Sequence, residues 1–363
     1  MTLTATRRAM LTALAATPIL STPLRAQAAF PDKPIRLIVP FAPGGNADLT
    51  ARACAPAMSA KLGQPVVVEN RAGAGGSVAA QQVARLRPDG YTILLGSNGP
   101  LTINPTVQAN LGYDPMRDFM PIGLFVRTPM VIAVHRSLPV QTVAELVAHS
   151  KANPGRLGFG SSGIASAAHL SLEMFNAATG AGITHIPYGS GGALAPDLVS
   201  GTISGAITEI STALPLHKEG AVRILAVAAA NRLPQAPELP TANEAGVAGY
   251  EAAAFVGIVA PTGLPEPVAK ALGEAVAAAV ADPSVRTRLE GMGSLMASAT
   301  EATPQASRPF CSVRQPGPAP RRNVRGCGRG EGGPSQIHLD IRPLDHVAPF
   351  VAFRLQPLIA ISR

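Results

Sequence analysis

Short apolar runs alternate with longer amphipathic stretches along most of the chain. Runs such as 35–39 (IRLIV) and 222–228 (VRILAVA) have the length of buried strands, and stretches such as 47–62 have the apolar spacing of helices. Because repeated strand-helix units are typical of parallel sheets covered by helices, the pattern predicts an α/β protein. The predicted strands are 35–39, 66–69, 91–96, 131–135, 157–160, 183–187, 203–208, 222–228 and 255–260, and the predicted helices are 47–62, 77–86, 143–151, 166–178, 193–200 and 267–281.

Turns rich in Gly and Ser follow several predicted strands and precede helices. Examples are 41–46 (FAPGGN), 160–166 (GSSGIAS) and 187–192 (PYGSGG). In parallel α/β sheets, ligands bind beyond the carboxyl ends of the strands, where N–H groups at helix starts carry a partial positive charge. These turns therefore predict an anion site built from uncharged donors.

Both ends of the chain differ from its body. Residues 1–28 contain an Arg pair, an apolar stretch at 9–24 and the sequence AQA at 26–28, which together predict a secretory signal peptide of the ordinary or twin-arginine kind. The apolar stretch is shorter than the roughly 20 residues that span a bilayer. Residues 303–363 are rich in Pro and Arg and lose all periodicity, so we expect a disordered tail, and an abrupt change of reading frame would explain its composition.

Charge and cysteine content narrow the classes of function. The net charge of +8 comes from the two ends, because residues 29–300 hold 18 basic and 18 acidic side chains. A neutral body gives no support to nucleic-acid binding. Cys54 is the only cysteine before residue 300, and no His, Cys or carboxylate cluster has metal-binding spacing, so neither a metal nor another cofactor is expected.

Some residues allow both a structural and a chemical interpretation. Asp48 follows the first Gly-rich turn, where it could stabilise a helix start or face a ligand, and the residues alone favour the structural role. The sequence at 71–76 (RAGAGG) resembles a dinucleotide fingerprint, but Val78 stands at the third glycine position, which favours a tight turn. A secreted α/β serine hydrolase using Ser161 or Ser162 with His169 stays an alternative, although the G-x-S-x-G spacing is absent and a packed His169 is the simpler interpretation.

The order of the turn motifs carries a family resemblance. From residue 30 to about residue 292, the chain is similar to the Bug-type extracytoplasmic solute receptors of the tripartite tricarboxylate transporter system. The segments that carry the resemblance are 30–36 (FPDKPIR), 39–45 (VPFAPGG), 67–76 (VVENRAGAGG), 88–92 (PDGYT), 186–188 (IPY), 225–227 (LAV), 239–241 (LPT), 244–246 (EAG) and 260–265 (APTGLP).

The resemblance implies a two-lobed periplasmic-binding-protein-like α/β fold, with a mainly parallel sheet in each lobe and a hinged cleft between them. Residues 29–129 and 252–302 would form the first lobe, and 130–251 the second. It further implies a monomeric periplasmic receptor that captures a small organic carboxylate for membrane permease subunits and catalyses no reaction. A ligand-sensing receptor without a transport role is a further alternative.

The same resemblance implies a set of ligand-binding residues. In such receptors, backbone amides, hydroxyls and bridging waters hold a carboxylate between the turns of the two lobes. Carried over to this chain, the set is Phe41, Gly44, Gly45 and Asp48 in the first turn, Ser97 and Asn104 farther along the first lobe, and Ser161, Ser166, Tyr188 and Thr208 in the second lobe.

Overall fold

A computed structural model of the protein describes residues 30–108 and 110–302. The predicted signal peptide at 1–28 and the predicted tail at 303–363 lie outside these residues. The strands are β1 (Ile35–Val39), β2 (Val66–Asn70), β3 (Thr92–Ser97), β4 (Phe119–His135), β5 (Gly158–Ser161), β6 (Thr184–Pro187), β7 (Gly205–Glu209), β8 (Val222–Val227), β9 (Ala253–Pro261) and β10 (Leu295–Met296). The helices are α1 (Asn46–Leu62), α2 (Ser77–Ala84), α3 (Asn104–Val107), α4 (Pro115–Asp118), α5 (Val143–Ala152), α6 (Ala167–Thr179), α7 (Gly191–Ser200), α8 (Ile210–Lys218), α9 (Glu266–Ala281) and α10 (Pro283–Gly291).

Two sheets share the long strand β4. In the first lobe, β2, β1 and β3 are parallel, and β9 lies antiparallel between β3 and the first part of β4. In the second lobe, β6, β5 and β7 are parallel, and the last part of β4 lies antiparallel between β7 and β8. The predicted α/β architecture with a mainly parallel sheet in each lobe is confirmed.

Strand β4 connects the lobes. It pairs with β9 as far as Pro129 and with β7 from Met130 onward. The sequence predicted a strand only over 131–135, because Pro121, Gly123 and Pro129 are residues that central strands disfavour. Register shifts between Pro121 and Gly123, and again between Leu124 and Val126, accommodate these residues and extend the strand to 17 residues.

Helices cover both faces of each sheet. In the first lobe, Leu37, Ile93 and Phe125 pack against α1 and α9, whereas Ile38 and Leu94 face α2. In the second lobe, one face packs against α6 through a core that includes Phe159, Leu172 and Phe175, and the other face packs against α7 and α8 through one that includes Val131, Leu194 and Ile210. Each fully buried side chain of this size stabilises the fold by about 1.5–3 kcal/mol, so the sheets are rigid frames for the turns at their edges. Within the described ranges, no helix has the length and apolar sequence that crossing a membrane requires.

Candidate functional site

A cleft between the lobes is formed by the turns that follow the strands. The space between its walls is about 420 Å³ including open solvent, and about 30 Å³ of it can hold the centre of a water molecule. Glu209 is the only one of its described lining residues with an acidic or basic side chain. The lining residues are Phe41, Gly45, Asn46, Ala47, Ser97, Asn98, Gly99, Ser162, Ser166, Ala167, Ser190, Gly191, Glu209, Ala254, Phe255 and Val256.

The first turn places the start of α1 at the cleft. Gly44 has a φ of 81°, a left-handed conformation that glycine adopts without strain. Gly45 is the N-cap of α1 and makes no side-chain capping bond, and the next residues, Asn46 and Ala47, line the cleft. Since the first amides of a helix have no partner within it, these N–H groups are available to an anion.

Asp48 lies behind this turn and shapes it. Its carboxylate accepts hydrogen bonds from the Gly44 amide, from Arg52 Nε and from Asn70 Nδ2, each about 3.0 Å long, and its side chain is almost fully buried. Burial alone raises the pKa of Asp48, but the hydrogen bonds from Arg52, Gly44 and Asn70 outweigh burial and lower that pKa below its ordinary value. These contacts give Asp48 a structural role in the first turn.

Two helices of the second lobe also begin at the cleft. Ser166 caps α6 by accepting a hydrogen bond from the His169 amide, and Ser190 caps α7 by accepting one from the Ala193 amide, both 3.1 Å long. The residues that follow the caps, Ala167 and Gly191, line the cleft. The starts of α1, α6 and α7 therefore converge on one space, where their partial positive charges favour an anion without a cationic side chain.

Ser97 offers a free hydroxyl to the same space. It lies at the end of β3, is 6% exposed, and its Oγ has no hydrogen-bond partner among the described residues. A buried hydroxyl left without a partner costs about 1–3 kcal/mol. A ligand oxygen in the cleft would remove this cost.

Glu209 brings a carboxylate to the cleft, and the sequence analysis missed it. Its side chain is 8% exposed and accepts hydrogen bonds from the hydroxyls of Thr208, at 3.2 Å, and Ser162. Burial raises the pKa of Glu209, and the weaker hydrogen bonds do not reverse this shift. Glu209 is the residue directly after the predicted strand 203–208, so its place at a strand end is the signal that could have found it.

The structure brings part of the predicted binding set together. Phe41, Gly45, Ser97 and Ser166 line the cleft, and Gly44 and Asp48 complete the first turn. The side chains of the other four are engaged within the protein: Asn104 Nδ2 with the carbonyls of Ala74 and Gly75 and with Ser77 Oγ, Ser161 Oγ with His185 Nε2, Tyr188 with Asp197, and Thr208 with Glu209. Ligand contact by these ten residues stays a prediction.

A serine and a histidine do pair in the second lobe, but away from the cleft lining. Ser161 Oγ lies 2.6 Å from His185 Nε2, and the His185 ring stacks on His169 at a centroid distance of 3.9 Å. His169 is held by the Ala165 amide, which donates to its Nδ1. Burial lowers the pKa of His185 to about 4, and the neighbouring His169 adds to the shift. The hydrolase hypothesis named His169 as the partner of the serine, whereas Ser161 contacts His185. Ser161 is also fully buried, so a substrate in the cleft does not reach its hydroxyl.

The two lobes touch beside the cleft. The Ala42 amide donates to the Gly189 carbonyl at 3.2 Å, and Ser190 Oγ donates to the Pro43 carbonyl at 3.3 Å. A Cβ added at Gly192 would lie 2.5 Å from the carbonyl carbon and oxygen of Gly44. The cleft is thus in a closed arrangement in which two glycine turns meet backbone to backbone.

The part of the chain that the structure describes contains no candidate metal site. No group of three or more His, Cys, Asp or Glu side chains there is close enough to hold a metal ion. Cys54 is buried in the core of the first lobe.

Comparison with known proteins gives a consistent result. The family model described as the tripartite tricarboxylate transporter family receptor, TctC, matches residues 50–304. The structure of the periplasmic binding protein BugD is 35% identical, with a TM-score of 0.75 over 78% of this chain and 94% of that chain. This similarity confirms the two-lobed periplasmic-binding-protein fold.

Two further solved structures contain small carboxylates. R. palustris Rpa4515 with adipate is 36% identical, with a TM-score of 0.74 over 78% of this chain and 93% of that one. MatC from Rhodopseudomonas palustris with bound malate is 32% identical, with a TM-score of 0.75 over 78% and 96% of the two chains. The family match covers well over half of the chain, and the cleft has the uncharged donors that the resemblance implied. The chain therefore belongs to the TctC family of tripartite tricarboxylate transporter receptors.

Proposed function

We propose that the protein is a periplasmic receptor that binds a small organic carboxylate reversibly between its lobes and delivers it to membrane permease subunits. The convergence of three helix starts on a cleft without cationic lining residues carries this proposal. Aligned backbone dipoles and hydroxyls suffice for an anion in such a position. The adipate and malate in two related structures support the same class of ligand.

Reversible binding is favoured over catalysis by the position of the serines. Ser161, whose Oγ contacts a histidine, is fully buried and does not line the cleft. Ser162 lines the cleft, but its hydroxyl donates to Glu209, a carboxylate rather than a histidine base. Ser161 therefore has a histidine partner but is not accessible, and Ser162 is accessible but has no histidine partner, so neither serine has the pairing that the hydrolase hypothesis requires.

Ligand-induced thermal stabilisation tests the binding step. The purified protein is heated with a panel of mono- and dicarboxylates, amino acids and aromatic acids, and a ligand at 100 times its Kd should stabilise the protein by about 2.7 kcal/mol. Ser97→Ala should weaken binding, whereas Ser298→Ala, outside the cleft, should not. The proposal fails if no carboxylate stabilises the protein, or if turnover accompanies binding and disappears in Ser162→Ala.

Transport and location need measurements in cells. We expect the protein in the fluid released by osmotic shock. Uptake of the labelled ligand should require both the receptor gene and the permease genes. Ligand-dependent gene expression that persists without the permease would instead support a sensing receptor.

A further inference from the structure

The cleft lining combines uncharged donors with a single carboxylate, that of Glu209. The donors include Ser97 and the starts of α1 and α6. Glu209 lies near Gly191, where a Cβ would lie 3.3 Å from Glu209 Oε2, 3.1 Å from Thr208 Oγ1 and 2.6 Å from Thr212 Oγ1. Of these three oxygen-bearing residues, Glu209 is the one that lines the cleft, so its carboxylate is the acceptor that a ligand can reach.

Glu209 lacks a cationic partner among the described residues. Its donors are its own backbone N–H and the hydroxyls of Thr208 and Ser162, and no Lys, Arg or His there comes within 4 Å of its carboxylate. Thr212 Oγ1, next to it, is buried and has no hydrogen-bond partner there. A buried carboxylate beside an unpartnered hydroxyl is a site prepared for a group that donates hydrogen bonds.

We propose that Glu209 selects ligands that carry an ammonium group in addition to their carboxylate, so that amino-acid zwitterions bind in preference to acids of the same skeleton without the amine. This inference rests on the proposed carboxylate receptor function. The ligand carboxylate accepts from the uncharged donors of the cleft, and the ligand ammonium group donates to the Glu209 carboxylate. The ammonium supplies the positive charge that the described lining residues lack.

Plain dicarboxylates are disfavoured by the same geometry. A second ligand carboxylate next to Glu209 would place two like charges in a space with little water, unless a proton is taken up on binding. The malate and adipate complexes of related proteins show that the fold can accept dicarboxylates. The preference that we propose is therefore a property of Glu209 in this chain and not of the fold.

Matched ligand pairs test the proposal by calorimetry on the full protein. Succinate is compared with aspartate, glutarate with glutamate, and every other carboxylate found to bind with its 2-amino analogue. We expect the amine-bearing member of each pair to bind about tenfold more tightly or better. Glu209→Gln should reduce this ratio to about one, because it weakens binding of the amine-bearing member and relieves the repulsion of the amine-free member. Glu209→Asp, which keeps the charge, should retain part of the preference.

Control variants separate this inference from the proposed function. Glu219→Gln makes the same change at an exposed position at the end of α8 and should leave every affinity unchanged. Each variant is used only if its thermal unfolding is cooperative. The inference is overturned if amine-free acids bind as tightly as their analogues, if they bind more tightly with proton uptake, or if Glu209→Gln keeps the preference. Failure of all carboxylates to bind would instead overturn the proposed function itself.

Discussion

The two lobes treat a buried carboxylate in opposite ways. Asp48 in the first lobe and Glu209 in the second are 3% and 8% exposed, and both lie beside the cleft. Asp48 is surrounded by a guanidinium, an amide side chain and a backbone N–H, and its pKa is lowered. Glu209 accepts from its own backbone N–H and from two hydroxyls but from no cation among the described residues, and its pKa is raised by burial.

The difference separates a structural carboxylate from one that is left for a ligand. Asp48 needs no ligand to stabilise its charge, because its hydrogen-bond donors within the protein already do so. Glu209 has hydrogen bonds but no cationic partner within the described residues, and it lines the space that three helix starts surround. Both side chains are carboxylates and both are almost fully buried, so the partners decide which carboxylate is available for recognition.

Removing the Asp48 side chain is expected to have the largest effect, which is a loss of folding stability. Asp48→Ala takes away the acceptor for three donors and should lower the free energy of unfolding by about 2–4 kcal/mol. Glu274→Ala is the control, since it breaks an ion pair with Lys61 in which both side chains are about half exposed, and should cost about 0–1 kcal/mol. Urea unfolding measures both. Equal losses in the two variants would contradict the structural role of Asp48.

Gly192 tests whether the turn anchored by Asp48 must meet the second lobe. Gly192→Ala puts a methyl group against the Gly44 carbonyl and should oppose closure, which weakens ligand binding by about 30- to 100-fold, or about 2–3 kcal/mol. Gly291→Ala serves as the control, because a Cβ there meets no atom within 4 Å. Calorimetry measures affinity, and urea unfolding checks that stability changes little. Unchanged affinity in Gly192→Ala would show that the glycine contact is not needed for binding.

Acidification should act on the second lobe through His185. Its pKa is about 4 in the folded protein, below the ordinary value of 6.5, so its stabilising contribution is complete above pH 6.5 and is lost as the pH falls towards 4. After allowance for its partial exposure, we expect a loss of about 1–2 kcal/mol over this range. His185→Gln should abolish this part of the pH dependence, whereas His149→Gln on α5 should behave like the wild type. Parallel pH profiles for all three proteins would contradict the assignment.

Much of the fold could be predicted from the sequence, because buried strands and covering helices leave a periodic pattern. Strand β1 has the predicted bounds, and most other elements differ by one or two residues. The first part of β4 was missed because its prolines and glycine are tolerated only through register shifts with a neighbouring strand. Helix α8 was missed as well, and it contains Pro215. The secondary structure of such segments depends on the elements that they pack against, and the local sequence does not identify those elements.

The site was predictable as a set of turns but not as a set of side chains. Phe41 and Ser97 were expected at the cleft and line it. Tyr188 is directed to Asp197, an interaction that depends on the packing of α7. Glu209 was missed because its importance comes from burial without a cationic partner, and neither property is visible in the residues around it.

The smallest expected effect is a pair of opposite pH dependences at the two carboxylates. Asp48 has a lowered pKa, so its stabilisation is present above its ordinary pKa and is lost in acid. Glu209 has a raised pKa, so its protonated form favours the fold at low pH and that benefit is lost as the pH rises. The deficit of Asp48→Asn should therefore grow from pH 3 to pH 7, whereas Glu209→Gln should gain stability relative to the wild type as the pH rises. Chemical unfolding across this range measures both, with Glu219→Gln as the control. A deficit of Glu209→Gln that grows with pH would mean that the protein itself compensates the Glu209 charge, and the contrast between the lobes would disappear.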